Sequence, residues 1–234
     1  LTIARIIDDH GHAVEVVNES LGVDPPSSGV DLVGISASVD VLPRAKALAD
    51  VYGRLGVPVA VGGIGVTTNP EIARKMFATV CLGPAEGHWP ELLEDAERGR
   101  LKSEYRTAPD LDGLALLPPS FRSVDTSGFL YSNVIATSRG CPFACDFCYN
   151  SAVKGVCGYR HRTVASVMDE IRSKATHHIM FIDDNFIGDP SFTRELLEEM
   201  RPLRLKWSAA VSANVADMPD LLDLMRDTGC RSLF

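Results

Sequence analysis

The sequence predicts an α/β fold in two parts, each a parallel sheet whose strands are joined by helices. Three observations carry the prediction. Short runs rich in β-branched residues recur through the chain, amphipathic stretches of helical period lie between them, and a proline-bearing segment without period separates one series from the other.

In the first half, residues 1–7 read as the middle of an amphipathic helix with no cap before it. Strands are expected over residues 13–17, 31–35, 57–61 and 79–82. Val41, Ala45, Leu48, Ala49, Tyr52 and Leu55 recur at helical spacing, and Gly56 is placed to stop that helix in a left-handed turn. Further helices are expected over residues 69–77 and 89–99, the latter turning Leu92, Leu93 and Ala96 inward. Residues 101–131, with Pro109, Pro118 and Pro119 and no sustained period, read as a linker.

The alternation then restarts. Residues 133–137 make a strand, and Val164, Val167, Met168 and Ile171 mark a helix that Thr163 caps. A strand over 178–182 precedes a helix opened by Asp189 and Pro190, with Leu196, Leu197 and Met200 on its inner face. A strand over 206–211, a helix over 219–228 stopped by Gly229, and a strand begun over 230–234 complete the series. The expected domains are 1–100 and 132–234, with 101–131 between them.

At 234 residues and 45% hydrophobic content the chain can bury one large core or two modest ones, and no run is long and apolar enough to span a membrane. Net charge is −8, with −6 on residues 1–100 and −1 on residues 132–234. Neither half has the basic surplus of a nucleic-acid binder, so no nucleic-acid partner is expected. The start lacks a basic segment and an apolar signal core, which with the cysteine usage predicts a reducing, cytoplasmic setting. Both ends read as cut, so a fragment of a longer protein is expected.

Cys141, Cys145 and Cys148 stand in the run Ser138-Arg139-Gly140-Cys141-Pro142-Phe143-Ala144-Cys145-Asp146-Phe147-Cys148-Tyr149. A C-x3-C-x2-C loop directly after a strand brings three thiolates together, one fewer than a closed structural site uses, and so leaves a coordination position open. A zinc knuckle completed by Cys157 or His161 is the competing reading, but zinc ligands usually come as two separated hooks. A disulfide framework fits poorly with six cysteines in 234 residues, three of them crowded into eight positions. Cys81 and Cys230 sit in apolar surroundings and read as small buried hydrophobes.

At these residues the chain resembles the radical S-adenosylmethionine (radical SAM) superfamily, whose signature has this spacing and an aromatic before the last cysteine, here Phe147. The resemblance implies a six-unit (β/α)6 partial TIM barrel of which about three and a half units are present. It implies that Cys141, Cys145 and Cys148 each hold one iron of a 4Fe–4S cluster, and that the fourth iron chelates the amino and carboxylate groups of S-adenosyl-L-methionine. Reductive cleavage of the sulfonium then gives a radical able to attack an unactivated C–H bond. Phe147 either flanks the adenine or packs in the core. Asp183-Asp184-Asn185 stand where relatives hold the amino group of the cofactor; the alternative is that they cap the helix starting near Asp189. Ser212 and Asn214 follow the third strand and are placed to meet the ribose or carboxylate. Lys154, Arg160, His161 and Arg162 either draw an anionic substrate or form a solvated face.

The first half resembles the doubly wound, Rossmann-like cobalamin (B12)-binding domain that precedes many such modules. Ser36, Ser38, Gly62 and Gly63 would flank the nucleotide tail at the carboxyl ends of the strands. The family's D-x-H-x-x-G loop would follow a first strand that is missing here, and Asp8-Asp9-His10-Gly11-His12-Ala13 lacks its final glycine. His10 and His12 therefore read as turn residues, and any cobalamin is expected to bind without a histidine ligand from this chain. Gly62-Gly63-Ile64-Gly65 is not G-x-G-x-x-G, so a nicotinamide site has little support. No role is assigned to His88, His177 or His178, and no catalytic residue is singled out.

The implied function is a radical SAM enzyme that modifies an unactivated carbon of a small organic or lipid-like molecule, by cobalamin-dependent methyl transfer or by ring rearrangement. A reductant such as a flavodoxin or ferredoxin would be its partner. The alternatives are a radical SAM enzyme without cobalamin and a non-catalytic iron–sulfur electron-transfer module; the open iron disfavours the last, because an electron carrier gains nothing from it.

Overall fold

The computed structural model describes all residues except 27, 108–115, 123, 125, 127–131 and 154–157, so Pro109, Lys154 and Cys157 lie outside the described residues. Two compact units divide near residue 128. No described helix is long and apolar enough to cross a membrane.

In the first unit, helix α1 (Thr2–Asp9) precedes a parallel sheet of β1 (Val33–Ser36), β2 (Val59–Gly62), β3 (Val80–Leu82) and β4 (Glu104–Arg106), ordered as in the chain. The connections carry α2 (Leu42–Arg54), α3 (Ile64–Thr68), α4 (Pro70–Met76) and α5 (Trp89–Glu97). Strand alternation sends successive side chains to opposite faces. Val61, Val80 and Leu82 accordingly join Leu42, Ala45, Val66, Ala73 and Phe77 in one core. Ala60 and Cys81 face the other way, into a second core with Ile6, Trp89, Leu92, Leu93 and Tyr105. Helices thus cover both faces of one sheet.

Two expectations are corrected here. Residues 13–17 alternate in burial as far as residue 16 but form no strand and join neither edge of the sheet. Residues 104–106, expected in the linker, instead pair with β3 as the sheet's last strand, with Val80 opposite Glu104 and Leu82 opposite Arg106. Burial of Tyr105 against Leu92 and Leu93 explains why so short a segment is held.

The second unit has a parallel sheet in which β5 (Val134–Ile135), β8 (His178–Phe181), β9 (Lys206–Ala209) and β10 (Cys230–Leu233) lie side by side in chain order. A separate antiparallel pair, β6 (Ser138–Arg139) with β7 (Arg160–His161), and the short α6 (Tyr149–Ala152) lie between β5 and the first long helix. Helices α7 (Val164–Ser173), α8 (Pro190–Met200) and α9 (Pro219–Asp227) connect the strands. The caps are as the sequence predicts: Thr163 accepts a hydrogen bond from Ser166 N at 3.2 Å, and Asp189 accepts from Ser191 N and Phe192 N at 2.9 and 3.2 Å. Ile135, Ile179, Phe181, Trp207 and Ala209 build the core with Leu196, Leu197 and Met200 of α8. Phe181, Phe186 and Trp207 stack and tilt against one another at 4.5–5.7 Å between ring centres. Cys81 is buried as expected, whereas Cys230 is only half-buried.

Candidate functional site

The cysteine loop runs from β6 to α6, at the end of the second sheet where β5 and β8 deliver their carboxyl termini. Gly140 turns the chain into it with a φ of 73°. Cys141 and Cys148 are half-buried, Cys145 is exposed, and all three thiols are unpaired. The loop closes locally: Cys148 N donates to Cys145 O at 3.0 Å, and Ser151 Oγ donates to the same carbonyl at 2.7 Å. Phe147 is 94% exposed, which removes the core-packing reading and leaves a bare aromatic face beside the thiols. Among the described residues no three His, Cys, Asp or Glu side chains converge on one metal ion. Thiolates that each take a different iron of one cluster have no need to converge so closely. Three free thiols on one partly exposed loop are a donor set that fits such a cluster.

Asp183, Asp184 and Asn185 each do something different. Asp183 is 4% exposed and takes four donors: Thr137 N at 3.0 Å, Thr137 Oγ1 at 2.8 Å, and Ser138 N and Oγ at 2.5 Å each. Burial pushes its carboxyl up, against the hydrogen bonds from Ser138 and Thr137 that pull it down. Its Oδ1 takes all four donors from the strand leading into the cysteine loop. Asp183, expected at the cofactor, thus anchors the loop. Asp184 is exposed and accepts a 2.6 Å hydrogen bond from Tyr149, the first residue after Cys148. Burial first, and Asp184 second, push the Tyr149 hydroxyl up, so it stays protonated and donating. Asn185 is buried; its Oδ1 accepts from Ser212 N at 3.1 Å, while its Nδ2 has no partner. The capping alternative fails for all three, since Asp189 caps α8 alone.

The hydroxyl of Ser212 lies between the side-chain oxygens of Asn185 and Asn214, so Asn185, Ser212 and Asn214 form one polar group after β8 and β9. Arg162 is neither an anion attractor nor part of a solvated face. It is buried, paired with Glu170 at 2.5 Å, and bonded to Ala136 O at 3.2 Å and Ser166 O at 2.8 Å. His161 stacks on Phe192 at 4.2 Å. The anion-attracting reading thus loses Arg162, whereas His161 stays exposed.

A cleft of about 290 Å³, its opening included, lies in the first unit at the carboxyl ends of β1 and β2. Ser36, Gly62, Gly63, Cys81, His88 and Trp89 are among its walls. Gly63 has a φ of +96°, and a Cβ there would come within 2.7 Å of Ala37 N, so only glycine lets this turn close. Of the four expected residues, Ser36, Gly62 and Gly63 line the cleft. Ser38 does not; it is exposed and bonded to Asp40 at 2.5 Å. His10 binds the carbonyl of Ile6 in its own helix at 2.7 Å, and His12 lies 3.2 Å from Glu97, so both are turn residues as expected. Sequence reasoning passed over His88. Its ring is buried, Nδ1 lies 3.0 Å from Thr107 Oγ1, and Nε2 has no partner. Burial pushes its pKa down to about 4, against a smaller upward pull from Glu91.

Residues 135–234 match the sequence profile of the Radical SAM superfamily. The chain is 31% identical over 213 residues to the bacteriochlorophyllide d C-12(1)-methyltransferase of Chlorobaculum tepidum, covering 87% of this chain and 46% of that protein. It is 27% identical over 195 residues to the hopanoid C-2 methylase of Rhodopseudomonas palustris, covering 76% of this chain and 36% of the methylase. The chain therefore spans about half the length of the first and about a third of the second. In fold it is similar to the radical S-adenosylmethionine methyltransferase TsrM from Kitasatospora setae, solved with cobalamin and a [4Fe-4S] cluster bound. The TM-score is 0.79 at 20% identity, over 99% of this chain and 56% of that one.

Proposed function

We propose that the whole protein, whose residues 135–234 match the Radical SAM superfamily profile, is a cobalamin-using radical SAM methyltransferase acting on a small organic or lipid-like molecule. One observation carries the reading: three unpaired thiols share one partly exposed loop, which a buried carboxylate fixes at the end of a parallel sheet. These thiolates would hold a 4Fe–4S cluster, which would supply the electron for cleaving S-adenosylmethionine.

Each residue then has a stated task. Cys141, Cys145 and Cys148 hold the cluster, and Phe147 offers its free ring to the adenine. Asp184, steadied by Tyr149, accepts the amino group of the cofactor, and the Asn185–Ser212–Asn214 group faces its ribose or carboxylate. In the first unit Ser36, Gly62 and Gly63 admit the nucleotide tail of cobalamin to the cleft they line. Small side chains suit that role, since they let a flat, bulky group approach the backbone. The relatives named as methyltransferases support methyl transfer over ring rearrangement. A flavodoxin- or ferredoxin-type reductant is the partner this chemistry requires.

The test uses the full-length protein, reconstituted anaerobically with iron, sulfide and hydroxocobalamin. Iron and corrinoid retained through gel filtration are measured, with the paramagnetic spectrum of the reduced protein before and after S-adenosylmethionine. Retained corrinoid and a spectrum altered by S-adenosylmethionine are expected. An altered spectrum without corrinoid would favour a radical enzyme with an empty first domain, and an unaltered spectrum would leave only an electron carrier.

A further inference from the structure

The cleft of the first unit is walled mainly by small and apolar groups, and one wall residue carries a buried polar atom with nothing to bond: Nε2 of His88. The proton inventory around this ring fixes its state. Thr107 Oγ1 donates its single proton to Pro84 O at 2.5 Å, so toward His88 Nδ1, 3.0 Å away, it can only accept. The proton of the neutral ring therefore sits on Nδ1, and Nε2 presents a lone pair. Gly87 makes this contact possible, since a Cβ there would come within 2.3 Å of the Thr107 methyl. His88 is a wall of the cleft and Thr107 is not.

We infer that His88 Nε2 is a hydrogen-bond acceptor for the molecule that fills this cleft, taking an N–H or O–H donor from the nucleotide-bearing arm of a corrinoid. The identification of the ligand rests on the proposed function above. The assignment of an acceptor rests on the ring alone. Several facts agree. An acceptor buried to 2% exposure without a partner costs stability that a ligand's donor would restore. Burial keeps the ring neutral near pH 7, its pKa being about 4. A ring held by a hydroxyl at one nitrogen is preoriented, so its hydrogen bond costs little ordering on binding.

The test is hydroxocobalamin titration of the full-length protein, followed by the corrinoid spectrum, for the parent, His88→Phe and His88→Gln. Losing one neutral hydrogen bond is expected to weaken binding by roughly three- to tenfold in His88→Phe, and the side-chain carbonyl of His88→Gln should restore part of it. Long-range proton–nitrogen spectra of the parent supply a second readout: Nε2 of His88 should appear unprotonated in the free protein and shift upfield with corrinoid. A parent that binds while His88→Phe binds equally well, with an unmoved Nε2 resonance, overturns the assignment and leaves the corrinoid reading intact. A parent that retains no corrinoid overturns that reading and the ligand assigned to His88 with it.

Discussion

Replacing Asp183 should damage the second unit in a graded way that its hydrogen bonds determine. In Asp183→Ala the hydroxyls of Thr137 and Ser138 can turn to other partners, but their two backbone N–H groups lose their acceptor. A buried unpaired donor costs about 1–3 kcal/mol, and relief of the carboxylate's own desolvation offsets part of that, so about 2–4 kcal/mol of destabilisation is expected. Asp183→Asn should cost only about 1–2 kcal/mol. All four donors reach Oδ1, whereas Oδ2 takes only a second, longer share of Thr137 N at 3.2 Å, so the amide can seat its carbonyl at Oδ1 and its nitrogen at Oδ2. The chain has two tryptophans, and Trp207 lies in the second unit's core, so urea unfolding by fluorescence in a Trp89→Phe background reports on that unit. With a denaturant slope of about 2 kcal/mol/M, the Ala midpoint should fall by roughly 1–2 M and the Asn midpoint by about half that. An Ala midpoint within about 0.3 M of the parent, or an Asn variant as damaged as Ala, would refute the anchoring role.

Three further outcomes are expected. Alanine at Cys141, Cys145 or Cys148 should remove most of the iron from the anaerobically reconstituted full-length protein while Cys157→Ala keeps it; equal loss in all four would indicate a four-thiolate site. Asp184→Asn should weaken S-adenosylmethionine binding roughly ten- to a hundredfold at matched iron content, the loss of one charge-assisted hydrogen bond, and an unchanged affinity would remove Asp184 from the cofactor site. His88 has a folded-state pKa of about 4 against an ordinary value of 6.5, so the unfolded chain binds its proton first and stability is lost as pH falls from about 6.5 toward 4. At about 1.36 kcal/mol per unit, the parent should lose roughly 2–3 kcal/mol more than His88→Phe between pH 7 and pH 4.5 in paired urea titrations, and parallel losses would show that His88 is accessible to protons in the fold.

Elements with a signal inside their own sequence were legible. Helix α8 is an example, since Asp189, Pro190 and the Leu196–Leu197–Met200 face specify its start and orientation locally. So is β2, a β-branched run ending in glycines. Elements of two or three residues, such as β4 and the β6–β7 pair, have no period of their own and exist only because distant segments hold them. Residues 13–17 show the converse, an alternating pattern without a ladder partner. In the site, the three cysteines announced themselves by spacing. The division of labour among Asp183, Asp184 and Asn185 did not, because it depends on which strand end each side chain meets. His88 was passed over for the same reason: what makes it notable is Thr107, nineteen residues away.

The buried–exposed–buried order of Asp183, Asp184 and Asn185 continues the strand rhythm of β8 beyond its last ladder bond. Phase, more than identity alone, is what this tripeptide transmits. Removing or adding one residue between Phe181 and Phe186 would turn the anchoring carboxylate toward solvent, carry the tyrosine-bound one inward, and detach Ser212 from its amide. The approach to the cysteine loop, the exit from it and the end of the neighbouring strand would lose their alignment together. Substitutions here can be graded, whereas a change of length is all-or-none, so these positions should vary in side chain far more readily than in number.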